Sequence, residues 1–597
     1  MEFISHNFVP LLFAGLLLFL LTGFPVAFSL AATGLTFGLI GMEAGLFPLT
    51  LFQALPLRIF GIMQNDTLLA VPFFTFMGIT LERSGMAEDL LETVGQVFGP
   101  LRGGLALATI FVGALLAATT GVMAAAVISM GLISLPIMLR YGYNRSIATG
   151  VITASGTLAQ IIPPSLVLIV MADQLGRSVG DMYAGAVAPG LILVGLYALF
   201  IIALAIFRPS WVPALPPEAL IYKEANGASG HKSLLAILII AAAAAFAWAF
   251  MHDSIINLLG GRESKAPMDE VLTLSMTAAA FVMLALALAN RWLRLRLLSQ
   301  LTERVVFVLL PPLVLIFLVL GTIFLGIATP TEGGAMGAMG ALIMAVSRRH
   351  LSFSLLKQAL DNTAKLTCFV IFILIGATVF SFTFNAADGH IWVEHLFDKL
   401  PGGQLGFLIA VNALVFILGC FIDFFEIAFI VIPLLVPVAD KMGIDLVWFG
   451  VVIAMNLQTS FLSPPFGFAL FYLRSVAART DYNDRVTNKL IPAVTTAQIY
   501  KGSIMFIALQ LIMLAVVIAF PTLVTNSLDK VPAVNLETMK IEAETGDYGK
   551  KEGEDPMKAL VPQPSDDQAA QQAPEGSEEE DPMEAVRRAI EQDAKKK

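Results

Sequence analysis

Charge is scarce in this sequence. Only 14% of its 597 residues are Asp, Glu, Lys or Arg, 57% are hydrophobic, and the mean hydropathy is +0.81. That balance excludes a soluble globular protein and implies many membrane spans of about 20 residues each. Cysteine is nearly absent: Cys368 and Cys420 both lie in apolar surroundings and read as buried small side chains, not as a disulfide or metal pair. The six histidines, His6, His231, His252, His350, His390 and His395, fall in or beside expected loops, where a solvated imidazole is the default. Neither a Gly-rich phosphate loop ending in Lys-Ser/Thr nor a His-Glu-x-x-His motif occurs, so ATP hydrolysis is not indicated and no enzyme activity is expected. The first apolar run, from Val9, lacks a basic leading segment and continues past Gly23-Phe24-Pro25 to about Ile40, so it reads as spans that stay in the membrane.

The net charge of −9 is concentrated at one end. From Ser527 onward 18 acidic residues face 10 basic ones, against 27 and 26 over the rest. This acidic tail, residues 527–597, is expected to be disordered, with a short helix near Met583 to Ala594.

Two polar, proline-ended breaks interrupt long apolar runs, Ala154 to Pro164 and Met455 to Pro465. Pro136 pairs with Pro437, Gly142 with Gly443, Pro163 with Pro464 and Pro164 with Pro465, each at an offset of 301. In hydrocarbon a broken helix leaves backbone groups without partners and is tolerated only where it is buried or lines a polar cavity. Matched breaks in two halves therefore point to a transporter's midplane site. Ahead of each break lies a run with short apolar arms around a polar tip, Thr119-Thr120-Gly121 in one half and Gly419 to Glu426 in the other, read as re-entrant hairpins.

The expected architecture is an all-α polytopic helical bundle with inverted-topology repeats, two re-entrant hairpins and two broken helices. Residues 1–207 form the first repeat and 208–303 a linker with two inserted spans, Ser233 to Met251 and Glu270 to Asn290. Residues 304–526 form the second repeat. Glu82 to Arg102 reads as a charged loop. This layout puts 20 of the 26 basic residues of the body on the cytoplasmic face, leaving Arg58, Arg177, Arg262, Lys265, Lys399 and Lys441 opposite, and it places both termini outside.

The tips and breaks supply oxygens suited to a small hard cation: backbone carbonyls together with Thr119, Thr120, Ser155, Thr157, Asn456, Gln458, Thr459 and Ser463. For any single hydroxyl the alternative is a bond back to its own helix. Asp423 and Glu426 sit in an apolar run with no basic neighbour in sequence, where an unpaired carboxylate costs about 2.5–3.5 kcal/mol or more. Asp423 is read as a cation ligand, and Glu426 as a ligand, a neutral acid or the partner of a distant Arg. Glu332, after Thr329-Pro330-Thr331, is either a third such acid or a helix cap.

Taken together, Thr119-Thr120-Gly121, Gly142-Tyr143, Ala154 to Ser165, Ala328 to Glu332, Asp423-Phe424-Phe425-Glu426-Ile427 and Asn456 to Gly467 resemble the large membrane subunit of tripartite ATP-independent periplasmic (TRAP) transporters. The Asp-Phe-Phe-Glu-Ile stretch and the insert look like the mannitol/chloroaromatic branch, which includes 2-oxo acid and lactate systems. The resemblance implies a sodium-driven elevator importer in a bacterial inner membrane, working with a small four-span subunit and a periplasmic substrate-binding protein. It implies two transported sodium ions. The first would be held by Thr119, Thr120, Ser155, Gly156 and Pro163, and the second by Gly419, Asp423, Asn456, Thr459 and Pro464. A small carboxylate would lie between the tips, against Gly121, Thr157, Glu426 and Gln458. Where many members carry Ser-Gly-Ser at the first tip, this chain has Thr119-Thr120-Gly121. A stand-alone sodium/dicarboxylate carrier is the alternative, and a passive channel or membrane enzyme a more distant one.

Overall fold

The computed structural model describes residues 6–222, 230–260, 266, 268–293, 297–484, 486–526 and 528. Residues 1–529 form one compact unit, and residues 530–597 a second that lies outside the described residues. The expected acidic tail and its short helix therefore lie outside them as well, Leu528 apart.

The first half opens with α1 (Phe8–Leu21) and α2 (Val26–Glu43), separated by Gly23 at φ 81° and by Pro25. Next come a 3-10 turn, Leu49–Ala54, then α3 (Leu55–Met63) and α4 (Ala70–Arg83). Helices 50–63 and 67–83 meet at a bend of 47°. The expected charged loop is instead a helix, α5 (Met86–Phe98), whose Met86, Leu90, Leu91 and Val94 are buried while Glu88 and Asp89 sit in its first turn. Alternation of acids with leucines disguised an amphipathic helix.

α6 (Gly104–Thr120) and α7 (Met123–Arg140) make the first hairpin, and α8 (Arg145–Thr157) and α9 (Leu166–Leu175) flank the first break. α10 (Val179–Phe207) completes the half. The inserted helices are α11 (His231–Gly260) and α12 (Met268–Trp292). Both are longer than the sequence suggested.

The second half repeats this order: α13 (Gln300–Phe324), α14 (Pro330–Ser347), α15 (Phe353–Ala386) and α16 (Gly389–Asp398). Its hairpin joins α17 (Gly403–Gly419) to α18 (Phe424–Glu426), a π-helical turn Ile427–Val431 and α19 (Ile432–Lys441). α20 (Leu446–Ser460) and α21 (Phe468–Val476) flank the second break. A two-stranded hairpin, Tyr482–Asn483 with Leu490–Ile491, precedes α22 (Thr496–Ala519) and α23 (Thr522–Thr525). Among the described residues eight helices are long and apolar enough to cross a membrane.

The 301-residue offset holds at the level of helix ends. Gly142 and Gly443 both turn through positive φ, at 83° and 70°. Each is followed by a side-chain cap, Asn144 accepting from Ser146 N and Ile147 N, and Asp445 from Trp448 N. The halves also interlock reciprocally: α2 packs on α15 and α14 on α4, while α8 packs on α22 and α20 on α10. Between helices in lipid, close backbone approach through small residues does the work that water exclusion does elsewhere. A Cβ on Gly376 would lie 2.4 Å from the Ala27 carbonyl oxygen, and one on Gly502 only 2.1 Å from that of Ser146.

Candidate functional site

The first hairpin turns in two residues. Gly121, at φ 58°, ends α6, its N–H donating to the Ala117 carbonyl at 3.1 Å, and Val122 is extended before α7 begins. This tip lies directly on the first broken helix. A Cβ on Gly113 would be 2.4 Å from Ser155 Cβ, one on Gly156 would be 2.3 Å from Val127 Cγ2, and one on Gly121 would be 3.2 Å from Leu166 Cγ. The glycines are what let the two segments touch.

Of the first-site residues, Thr119 donates to the Leu116 carbonyl at 3.0 Å, the helix-internal bond that was the bland expectation. The side chain of Thr120 lies outside the described residues. Ser155 differs: it is fully buried and its hydroxyl has no hydrogen-bond partner among the described residues. Gln160 Oε1 is likewise unpaired, while its Nε2 rests 3.9 Å from Met123 Sδ at the tip. Pro163 is buried, and Ser165 spans the break by donating to the Gln160 carbonyl at 2.8 Å.

In the second half Gly419 makes the corresponding contact. A Cβ there would meet Ser460 Oγ at 2.2 Å, and Cys420 Sγ stands 3.9 Å from the Ser460 carbonyl. Asn456 donates to the Asn412 carbonyl at 2.7 Å, leaving the buried Asn412 Oδ1 without a partner. Thr459 bonds its own helix, at Met455 O. Asp423 accepts from Phe424 N at 2.8 Å, and Glu426 accepts from Asp423 N at 3.3 Å, a reciprocal cap at the start of α18. Thr329 and Glu332 form the same cap on α14, so the capping alternative for Glu332 is the one observed. Pro464 is half-buried and Pro465 exposed.

Two expected substrate residues occupy equivalent positions, Thr157 and Gln458, and they reach one polar cluster between the halves. Gln510 Nε2 donates to Tyr197 Oη at 2.7 Å and lies 3.5 Å from Thr157 Oγ. Gln458 is fully buried beside the Tyr197 hydroxyl without reaching hydrogen-bond geometry, so both ends of its amide are unpaired. Gly121 and Glu426 remain with their own hairpins. Tyr197, Gln510, Asn412 and Gln160 were not singled out in the sequence, although polar side chains inside apolar runs are the signal that marks them.

His252 departs from the expectation of a solvated imidazole. It is buried within α11, accepting from Trp248 Nε1 at Nδ1 (3.2 Å) with Nε2 3.1 Å from Glu270 Oε1 on α12.

Chemically, each tip and break assembles oxygens and helix ends, neutral and buried at the first, joined by the Asp423 and Glu426 carboxylates and more open at the second. Hydroxyl, amide and carbonyl oxygens suit a hard cation, and the amino-terminal ends of α7, α9 and α21 suit an anionic group.

A family model described as "Tripartite ATP-independent periplasmic transporter, DctM component" matches residues 13–224 and 294–523, leaving out the inserted helices. The chain is 27% identical over 425 residues to the C4-dicarboxylate TRAP transporter large permease protein DctM of Pseudomonas aeruginosa, covering 71% of this chain and 81% of that protein. It is 27% identical over 481 residues to the protein of the same description from Rhodobacter capsulatus, covering 77% and 88%. Among solved structures the YdaH transporter of Alcanivorax borkumensis is similar at TM-score 0.46 and 13% identity, over 79% of this chain and 88% of that one, a likeness too loose to carry an argument.

Proposed function

Because this chain belongs to the DctM family, the large permease component of tripartite ATP-independent periplasmic transporters, we propose that it carries a small organic anion inward by coupling its movement to sodium. The family is one of transporters, and the protein is a multi-pass membrane protein. The anion is a carboxylate of the 2-oxo acid, lactate or related hydroxy acid class. Relatives described as C4-dicarboxylate permeases support a carboxylate over a cation or a sugar.

The observation that carries this reading is the pairing of tip with break in both halves, Gly113 and Val127 on Ser155 and Gly156, and Gly419 on Ser460. Sodium would sit at each pairing, with Thr119, Thr120, Ser155, Gly156 and Pro163 on one side. On the other it would meet Gly419, Asp423, Asn456, Thr459 and the Pro464 carbonyl. A carboxylate would lie between, toward Thr157 and Gln458.

An elevator motion is favoured by the packing. α9 packs on α19 of the opposite hairpin and α21 on α7, so the two hairpins and two broken helices are knitted into one body. α2 with α15 and α4 with α14 knit a second. Polar links between the bodies include Ser129 to Glu82 and Asn65 to Asp173, both at 2.7 Å. A small four-span subunit and a periplasmic binding protein that hands over substrate complete the system.

The test is uptake into liposomes holding the chain with its small subunit, supplied with binding protein and a candidate 2-oxo or hydroxy acid under an inward sodium gradient. Asp423→Asn keeps a good helix cap but removes the full charge, so folding should persist while sodium-driven uptake falls to background. Uptake by this variant at the normal rate and sodium dependence would refute the ligand role. Uptake by the chain alone would favour the stand-alone carrier.

A further inference from the structure

At the base of the first hairpin, on the face that carries most of the basic residues, lies an open cavity of about 910 Å³ that the transport reading does not use. Its walls come from the end of α7, the start of α8, the start of α22 and the strand hairpin of residues 482–491. Among the described residues four cations line it, Arg140, Arg145, Lys489 and Lys501, and no carboxylate does. Arg140 is neutralised from behind, its guanidinium bonding both oxygens of Asp484 at 2.9–3.0 Å. Arg145, Lys489 and Lys501 make no ion pair among the described residues. The Asn144-capped amino terminus of α8 adds its partial positive charge at the same place.

Three unneutralised cations gathered round one hollow repel one another, and the orienting bias of basic residues on this face does not require them to converge on one spot. Nor are they a by-product of the repeat. At the 301-residue offset Arg145 becomes Leu446, Asn144 becomes the acid Asp445, and the one retained cation, Lys441, is taken up by Glu394. The strand hairpin also has no counterpart: α9 and α10 are joined by Gly176 to Ser178 alone, whereas α21 and α22 are joined by Ala477 to Thr495. This half has added a segment that brings Lys489 over the cavity and is held there through Asp484 and Arg140. The same segment presents Val486 and Leu490 outward, 67% and 63% exposed. Basic pockets at the ends of membrane helices with an apolar rim match a phosphate on a lipid: the cations take the headgroup and the rim takes the first carbons of the chains.

We propose that this cavity binds the phosphate headgroup of an anionic phospholipid of the leaflet it faces. The site is formed by Arg145, Lys489 and Lys501, with Arg140 and Asp484 holding the strand hairpin in position.

The test uses the full chain purified in mild detergent, stripped of lipid and titrated with phosphatidylglycerol, with phosphatidylcholine and with inorganic phosphate, binding being read by native mass spectrometry. Phosphatidylglycerol should be retained in preference to phosphatidylcholine. The triple variant Arg145→Gln/Lys489→Gln/Lys501→Gln should bind it on the order of a hundredfold less tightly, from roughly fivefold per cation removed near a membrane surface. Lys357→Gln/Lys365→Gln, which alters basic residues elsewhere, should leave binding unchanged. Size-exclusion profiles report whether the triple variant is folded, and Arg145→Lys/Lys489→Arg/Lys501→Arg, which keeps all three charges, should bind phosphatidylglycerol nearly as tightly as the parent. Equal retention of phosphatidylglycerol by the triple variant and the parent would overturn the site. Binding of inorganic phosphate at the same strength as the lipid would overturn the lipid assignment in favour of a soluble phosphate ligand.

Discussion

Gly156→Ala is the perturbation that loads the tip-on-break contact most directly. The added Cβ would stand 2.3 Å from Val127 Cγ2, 3.1 Å from Val127 N and 3.2 Å from Val127 Cα. Carbon atoms at rest sit about 3.5–4.0 Å apart, so the hairpin must retreat by roughly 1 Å or α8 must bend away. A rotamer change at Val127 relieves the first contact but not the two backbone ones. Overpacking of this kind costs about 1–3 kcal/mol. Yet a 1 Å misplacement of groups that must converge on one ligand costs on the order of a hundredfold in function, so uptake should fall far more than stability. Gly195→Ala is the control: nothing lies within 4 Å of its Cβ position, and α10 should tolerate or welcome the alanine. Val127→Ala in the Gly156→Ala background removes the 2.3 Å contact and should recover part of the loss, with a coupling of about 0.5–3 kcal/mol in a double-mutant cycle of melting measurements. Sodium-driven uptake by Gly156→Ala at the parental rate would show that the contact between Val127 and Gly156 is packing alone.

Two shorter expectations follow. Ser155→Ala removes a buried hydroxyl that has no partner among the described residues, so thermal stability should be unchanged or slightly higher, while the sodium concentration for half-maximal uptake should rise several-fold. A drop in stability with unaltered sodium response would assign Ser155 to structure. Asp484 is buried, which works against its charge, but hydrogen bonds from Thr487 and Arg140 together with the Arg140 charge hold its carboxyl down at about 2. A depressed carboxylate contributes stability above its unfolded value near 4 and loses it as the pH falls from about 4 through 2. Detergent-solubilised protein should therefore show a melting decrement over that window that Asp484→Asn lacks, and identical acid profiles for the two would refute the linkage.

Much of the frame was legible because a break in a membrane helix demands specific residues. Pro163-Pro164, Pro464-Pro465, Gly142 and Gly443 repeat at one offset, and the structure puts helix ends at all of them. What the sequence concealed was of two kinds. α5 carries enough charge to read as a loop by hydropathy, although Leu90, Leu91 and Val94 at helical spacing were there to be seen. The spacing of Asp423 to Glu426 likewise fits a capping box, which lies behind the observed bonds to the acids' own helix. The other kind was not local. His252 meets Glu270 across a helix pair, and Tyr197 meets Gln510 across the two halves. No spacing within one segment announces either.

The repeat is symmetric in sequence but not in exposure. At the first break Pro163, Pro164 and Ser165 are all buried, whereas at the second Pro464 is half-buried and Pro465 and Phe466 lie open. The second tip is open too, Phe421 being 61% exposed with its ring 5.0 Å from that of Phe466. In the elevator reading proposed above, two segments built alike and facing opposite ways would be equally covered at the middle of the range. In that reading unequal cover corresponds to one end of the range. In the elevator reading the aromatic pair Phe421 and Phe466 then stands at the accessible side, and Gly113, Gly121 and Gly156 at the closed one. Closure there rests on glycine contacts too tight for any side chain. The second half makes an equally close contact at Gly419, where an added Cβ would stand 2.2 Å from Ser460 Oγ, so tip-on-break packing is common to both halves and the difference between them lies in what covers the tips.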